Sequence, residues 1–308
     1  TAGWADPDPD GDDGTLMNAV AEISQQLQDA QAKLNASLAK QQQLQDQLTS
    51  TNLALARLTA AAGDVAAAMY TSAGGVSEAN VVLSAAGPDD LLDRLSAVHL
   101  FAEEQSLVLA DLKRTREKSQ QEQADLANEV AAGRNATAQL AAQKAKLQKL
   151  LGSAQGGPKG VVVPAPTADQ APRNADGSWP AEKQNQDDPT SGGKLTPRTL
   201  HAYNEVKKAG FDHYVHCWRE QSWGEHPKGR ACDWAAAKSG FGGVATGADY
   251  DYGAKLAGWL IGNSDRLGVL YVIWYKMIWI PGQGWHRYTT EGGNPSGDHT
   301  NHVHMSIR

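Results

Sequence analysis

Asp298-His299-Thr300-Asn301-His302-Val303-His304-Met305-Ser306-Ile307 is the stretch whose reading decides the fold. Read as a strand from His302, its period of two puts His302, His304 and Ser306 on one face and Val303, Met305 and Ile307 on the other. One face is apolar and suits a core; the other carries chemistry. Imidazoles two apart on a strand point the same way and can share a metal, but a lone His-x-His is a weak signal and needs a second element.

Working outward, His226 and Asp233 supply that element, seven apart around Gly229 and Ala231, residues small enough to let the backbone turn close to an ion. Zinc in hydrolytic sites takes three protein ligands from His and carboxylate and leaves the fourth position to water. His226, Asp233 and His304 form such a set. The ion would polarise a scissile carbonyl and bring its water to a pKa of ~7, while a further carboxylate or imidazole moves the proton. Thr196 and Pro197 start an amphipathic helix through Leu200, Tyr203, Val206 and Ala209 that ends at Gly210. A second helix is expected over Asp249 to Gly262, and Val269 to Tyr275 has the β-branched and aromatic content of a buried strand. Helices mixed with strands predict an α+β domain over residues 194–308.

The other half of the chain is a different material. Of the 28 Lys and Arg and 35 Asp and Glu, the first 151 residues hold 12 and 20, and they contain one of the nine Trp and one of the nine His. A 3-4 ladder runs through Val20, Ile23, Leu27, Ala30, Leu34, Ser37, Gln41, Leu44, Leu48, Thr51, Leu55, Leu58 and Ala62, broken at Ser37 and Gln41. A second helical run follows from Phe101 to about Leu151. Residues 15–151 therefore predict an all-α coiled-coil hairpin, each arm reaching roughly 70 Å. Its tip falls at about 70–100, where Gly74-Gly75 can end the first helix and Pro88-Asp89-Asp90 can start a short one. Leu91, Leu92, Leu95, Val98, Leu100 and Phe101 offer the tip more apolar surface than two helices easily bury, for packing or for a partner. Residues 1–14 read as a disordered acidic N-terminus. Residues 152–193, rich in Gly, Pro, Ala, Asp and Ser without periodicity, read as a flexible linker, with Gly160 to Pro164 as a possible edge strand.

A net charge of −7 without clustered Lys and Arg argues against nucleic acid as the partner. No stretch comes near the ~18 unbroken apolar residues of a membrane span. The chain opens at Thr1 with no basic, apolar leader, which fits a processed or trimmed chain and leaves export as an expectation. Cys217 and Cys232 flank the His226–Asp233 motif. They could form a disulfide that pins this segment in an exported domain, or act as thiolates, although His and Asp already satisfy a metal.

Two resemblances add to this reading. The His-x6-Asp motif with Gly and Ala inside it, followed by an acidic residue six before the last His of a His-x-His strand, resembles the lysostaphin, D-Ala-D-Ala peptidase and hedgehog superfamily of zinc proteins. The resemblance implies zinc on His226, Asp233 and His304, an acidic base at Asp298 where relatives usually have Glu, and His302 beside the metal handling the proton or oxyanion. It implies that Arg219, in Cys217-Trp218-Arg219-Glu220, binds a substrate carbonyl or carboxylate, a surface ion pair being the alternative. Residues 15–150, with a Met-Tyr…Gly-Gly stretch before Pro88-Asp89-Asp90-Leu91-Leu92-Asp93-Arg94-Leu95, resemble the coiled coil of secreted bacterial cell-wall hydrolases. In that group the coil is thought to restrain the hydrolase and to take signals from an FtsEX-type membrane complex. The expectation is a secreted zinc metallopeptidase that cleaves an amide in the peptide of peptidoglycan. The alternative is a zinc-stabilised binding module recruited through the coil. His299 reads as a loop residue, and His213, His216 and His286 as packing or surface.

Overall fold

The structure is a computed structural model that describes residues 14–72, 85–288 and 293–308, with the side chains of 68–72 and 101 left aside. The expected acidic N-terminus and Gly74-Gly75 lie outside the described residues. Two compact units form: the described residues up to Ala32 together with Thr137–Arg308, and Lys33–Ala136. The expected boundaries at 151 and 194 thus fall inside the first unit, because the base of the hairpin packs as part of it.

Helix α1 spans Gly14–Ser72 and helix α2 spans Pro88–Leu151. The short tip helix and the return helix are one continuous element, opened by Pro88 with Asp89 and Asp90 in its first turn. Asp90 also accepts from the Ala86 amide and from Arg94, which together hold its carboxyl below the usual range. Every ladder position from Val20 to Ala62 is buried or half-buried while its neighbours between Ala32 and Ala60 face solvent. The two breaks are filled, not empty. Ser37 Oγ and Gln41 Nε2 both donate to the Glu129 carbonyl at 3.2 and 3.3 Å. Gly133 makes room, since a Cβ there would lie 2.7 Å from Gln41 Nε2. A partnered polar layer of this kind sets register at some cost in stability.

The C-terminal part holds a two-stranded ribbon, β1 (Gln186–Asp187) and β2 (Lys194–Leu195), and helix α3 (Pro197–Lys208). A six-stranded antiparallel sheet follows: β3 (Val215–His216), β4 (Ala231–Ala235), β5 (Val269–Trp274), β6 (Met277–Ile280), β7 (Gly284–Arg287) and β8 (His302–Ile307), in the order β3-β4-β8-β5-β6-β7. Helices α4 (Gly247–Gly262) and α5 (Ser264–Leu267) connect β4 to β5. Thr196 caps α3 through its hydroxyl, as the Thr-Pro pair predicts. Val303, Met305 and Ile307 of β8 enter one core with Trp234, Val272, Val206, Leu256 and Leu260. Each fully buried side chain of this size contributes about 2 kcal/mol. The fold is helical in its N-terminal part and α+β in its C-terminal part.

Residues 152–193 are not a free tether; they form a strap laid along the domain. The Val162 and Pro164 carbonyls press on α4 where it has Gly258 and Gly262, and a Cβ at either would lie 2.0 or 2.4 Å from those oxygens. Asn263 Oδ1 accepts from the Thr167 and Ala168 amides at 2.7 and 2.8 Å. Glu205 accepts from Asp169, and Trp179 packs against the guanidinium groups of Arg173 and Arg198. The strap's order rests on backbone carbonyls and capping side chains, so it shows no hydrophobic period. Val161–Pro164 is not a strand.

The second face of the sheet is covered as well. On α1, Met17, Ala21, Ser24 and Gln28 share a stripe turned by about 100° from the seam. The Tyr288 hydroxyl donates to Met17 Sδ at 2.8 Å. Gln28 Nε2 donates to the carbonyls of Val269 and Leu270, at the β-bulge that opens β5. Asn18 Oδ1 accepts from the Gly224 amide, Trp223 packs on Gly14, and Asp29 pairs with Arg308.

Candidate metal centre

Strand register builds the centre. Asp233 on β4 lies directly opposite His304 on β8, with His302 opposite Ala235 and Ser306 opposite Ala231. His226 reaches the same point from the turn before β4. His304 Nδ1 lies 2.8 Å from Asp233 Oδ1, His226 Nε2 lies 3.1 Å from Asp233 Oδ2, and the two ring nitrogens are 3.3 Å apart. Donors about 2.0–2.1 Å from a tetrahedral ion stand about 3.3 Å from one another, so this buried triad has the size and chemistry to hold a metal ion.

Each ligand is oriented from behind. The Cys217 carbonyl takes the Nδ1 proton of His226, which turns the Nε2 lone pair to the centre. Ser306 Oγ lies 2.8 Å from His304 Nε2, so Nδ1 of that ring faces the triad. Tyr271 stacks on the His304 ring with centroids 5.5 Å apart. Cys217 and Cys232 form the disulfide, which ties β3 to β4 between the carbonyl that orients His226 and the ligand Asp233. Gly229 has a different reason to be small from the one expected. Its φ is +64°, and a Cβ there would lie 2.5 Å from the Lys194 carbonyl, so it admits strand β2 and not an ion.

Arg219 is 7% exposed and donates to Asp233 Oδ2 through its guanidinium, while its Nε donates to Gln221. It is thus neither on the surface nor open to a substrate in this state. Burial pushes the Asp233 carboxyl up, but the facing His226, Arg219 and His302 outweigh it and hold the group well below the usual carboxylate range. It stands anionic, as a metal ligand must.

Asp298, expected as the base, is buried and engaged by a cation. Its carboxylate pairs with Lys276 at 2.9 Å, and the Lys276 amide donates to its carbonyl. His302 stands where expected, with Nε2 3.5 Å from Asp233 Oδ1 and Nδ1 2.7 Å from Asn301 Oδ1. Asn301 spends its own amide protons on Gly242 and Ser296, so its oxygen takes the Nδ1 proton and Nε2 keeps its lone pair. His299 lies in the turn before β8, as expected of a loop residue, yet it is fully buried at φ +51°, its ring 4.7 Å from His302 and 5.6 Å from His304. The left-handed backbone that turns it inward has no sequence period and costs energy at a non-glycine residue. The only signal was its place three residues before His302. With α1 in place no member of this group is more than 7% exposed. Residues 191–303 match the family model described as VldE, C-terminal domain, a match that begins after most of the strap. No curated protein matches the chain.

Proposed function

We propose that the C-terminal domain is a zinc-dependent peptidase acting on an amide in the peptide of bacterial peptidoglycan, and that the start of α1 holds it closed. The observation that carries the reading is the oriented triad of His226, Asp233 and His304 with two further imidazoles beside it. A zinc ion held by that triad would supply Lewis acidity to a carbonyl and would acidify a water. His302, its Nε2 lone pair facing the centre, accepts the water's proton and returns it to the leaving amine. His299, whose Nδ1 lies 3.0 Å from the Gly297 carbonyl, stands next to it as a second proton carrier or a donor to the oxyanion. Asp298, engaged by Lys276, holds the loop that delivers His299. Arg219 keeps Asp233 anionic.

Peptidoglycan as the substrate rests on the resemblance of both halves of the chain to cell-wall hydrolases, and an extracytoplasmic location on the same resemblance and on the disulfide. The exposed Leu92, Leu95 and Leu100 early in α2 are the surface for an FtsEX-type membrane partner. Restraint is supported by α1, whose Met17, Asn18 and Gln28 engage Tyr288, Gly224 and β5 around the centre. The lid is also imperfect. Ser24 Oγ is buried with no hydrogen-bond partner among the described residues, at a cost of about 1–3 kcal/mol.

The second reading, a zinc-stabilised binding module, is favoured by the same closure. Zinc content and chelator-sensitive digestion of purified peptidoglycan, measured on the full chain and on Met17→Asp, separate the two. Released peptide fragments that vanish with chelator support the peptidase. Stoichiometric zinc with no digestion in the opened variant supports the binding module.

A further inference from the structure

A cavity of about 600 Å³ lies between α1 and the turn that carries His226, with Trp223, Glu225, Lys228 and Arg230 on the domain side and Glu22 and Gln26 on the helix. The Glu225 side chain is fully buried and is paired with Lys228 at 3.0 Å and with Arg230. One carboxylate thus balances two cations and leaves one positive charge in excess. Lys228 is half exposed, and Arg230 Nε donates to no group among the described residues. Glu225 and Pro227 line the cavity on either side of the ligand His226. A peptide anchored there therefore lies along the ligand turn. On the helix side of this hollow α1 carries a carboxylate, Glu22, exposed and accepting from Gln26 Nε2 at 2.9 Å. A second acidic residue of the same helix, Asp29, meets Arg308. The helix presents acid where the domain presents base.

We propose that this cavity is a subsite for a free carboxylate on the peptide substrate, and that Glu22 stands in for that carboxylate while α1 is closed. The inference rests on the peptidase reading for its substrate. An ammonium beside a guanidinium suits a carboxylate and discriminates against the neutral amide of the same shape. The centre then selects peptides with an acidic side chain near the cut, and the lid competes for the same space.

The test uses the full chain carrying Met17→Asp, which frees α1 and leaves the domain-side residues Glu225, Lys228 and Arg230 unchanged. Two fluorescent N-acyl-Ala-Glu-Lys and N-acyl-Ala-Gln-Lys amides are titrated by anisotropy, and their cleavage is followed separately by mass spectrometry. The acid is expected to bind about tenfold tighter than the amide, with Lys228→Gln and Arg230→Gln each removing most of the difference. Equal binding of the two peptides, no binding of either, or an acid preference untouched by both substitutions overturns the subsite. Should Arg230→Gln unfold once Glu225 loses a partner, the half-exposed Lys228→Gln carries the test. Acid-selective binding without cleavage would sink the peptidase reading and keep the subsite; cleavage without acid preference would do the reverse.

Discussion

Helix α1 is one element with two kinds of burial. Beyond Ala32 it buries a single seam, Ser37, Leu44, Leu48 and Thr51, and leaves Leu38 and Leu53 in solvent at 53% and 60% exposure. Before Ala32 it buries the same seam at Val20, Leu27 and Ala30, and a second stripe at Met17, Ala21 and Ser24. A coiled coil needs only the first. The second stripe exists because the first five turns also pack on the C-terminal domain at Tyr288, Gly224 and the start of β5, so one regular helix is a coiled-coil strut over one part of its length and, on the reading proposed above, a lid over the other.

If the lid covers a working centre, removing the centre should matter most. His304→Ala should reduce zinc to background and abolish hydrolysis, read by elemental analysis and by digestion of peptidoglycan; retained stoichiometric zinc would remove His304 from the ligand set. Met17→Asp puts a charge where the side chain is 1% exposed. It should raise turnover by the full chain at least about tenfold and speed proteolysis near Gly14, whereas the same charge at Leu38 should change neither. Equal effects at the two sites would erase the distinction between lid and strut. Opening the disulfide that closes a separation of 15 residues should cost about 3 kcal/mol and weaken zinc binding, seen in melting and chelator competition of Cys217→Ser/Cys232→Ser. Unchanged metal affinity would make the bridge purely structural. A fragment beginning at 194 should melt lower than one beginning at 152, because it loses the strap's contacts with Asn263 and Glu205. Smallest of all, Ser37→Ala in the strut should cost about 1 kcal/mol or less and leave turnover alone.

The strut was legible because its contacts are local and repeat. The 3-4 ladder, the Thr196-Pro197 cap, the α4 and β5 segments and the two faces of β8 all follow from periods of 3.6 or 2 and from end signals. The metal set was legible for a related reason: His-x-His on a strand and His226 with Asp233 restrict the chemistry before any contact is known. The spacing of Asp298 suits a base but carries no trace of Lys276, which pairs with its carboxylate from a distant turn of the chain. His299 lies in the expected loop, but its burial could not be read, because a positive φ turns it inward and no pattern of polar and apolar residues marks that turn.

What the chain determined by itself is therefore what short-range stereochemistry can encode: two long helices, the strands and helices of an α+β domain, a candidate ligand triad and a cysteine pair. What only the tertiary structure decided is how distant parts close on one another. Met17 meets Tyr288, the Val162 carbonyl meets Gly258, and Glu22 shares a cavity with Lys228, across separations of 271, 96 and 206 residues. Met17, Gly258 and Glu22 serve equally well in an exposed helix, so only the packed molecule shows which distant partner each one meets.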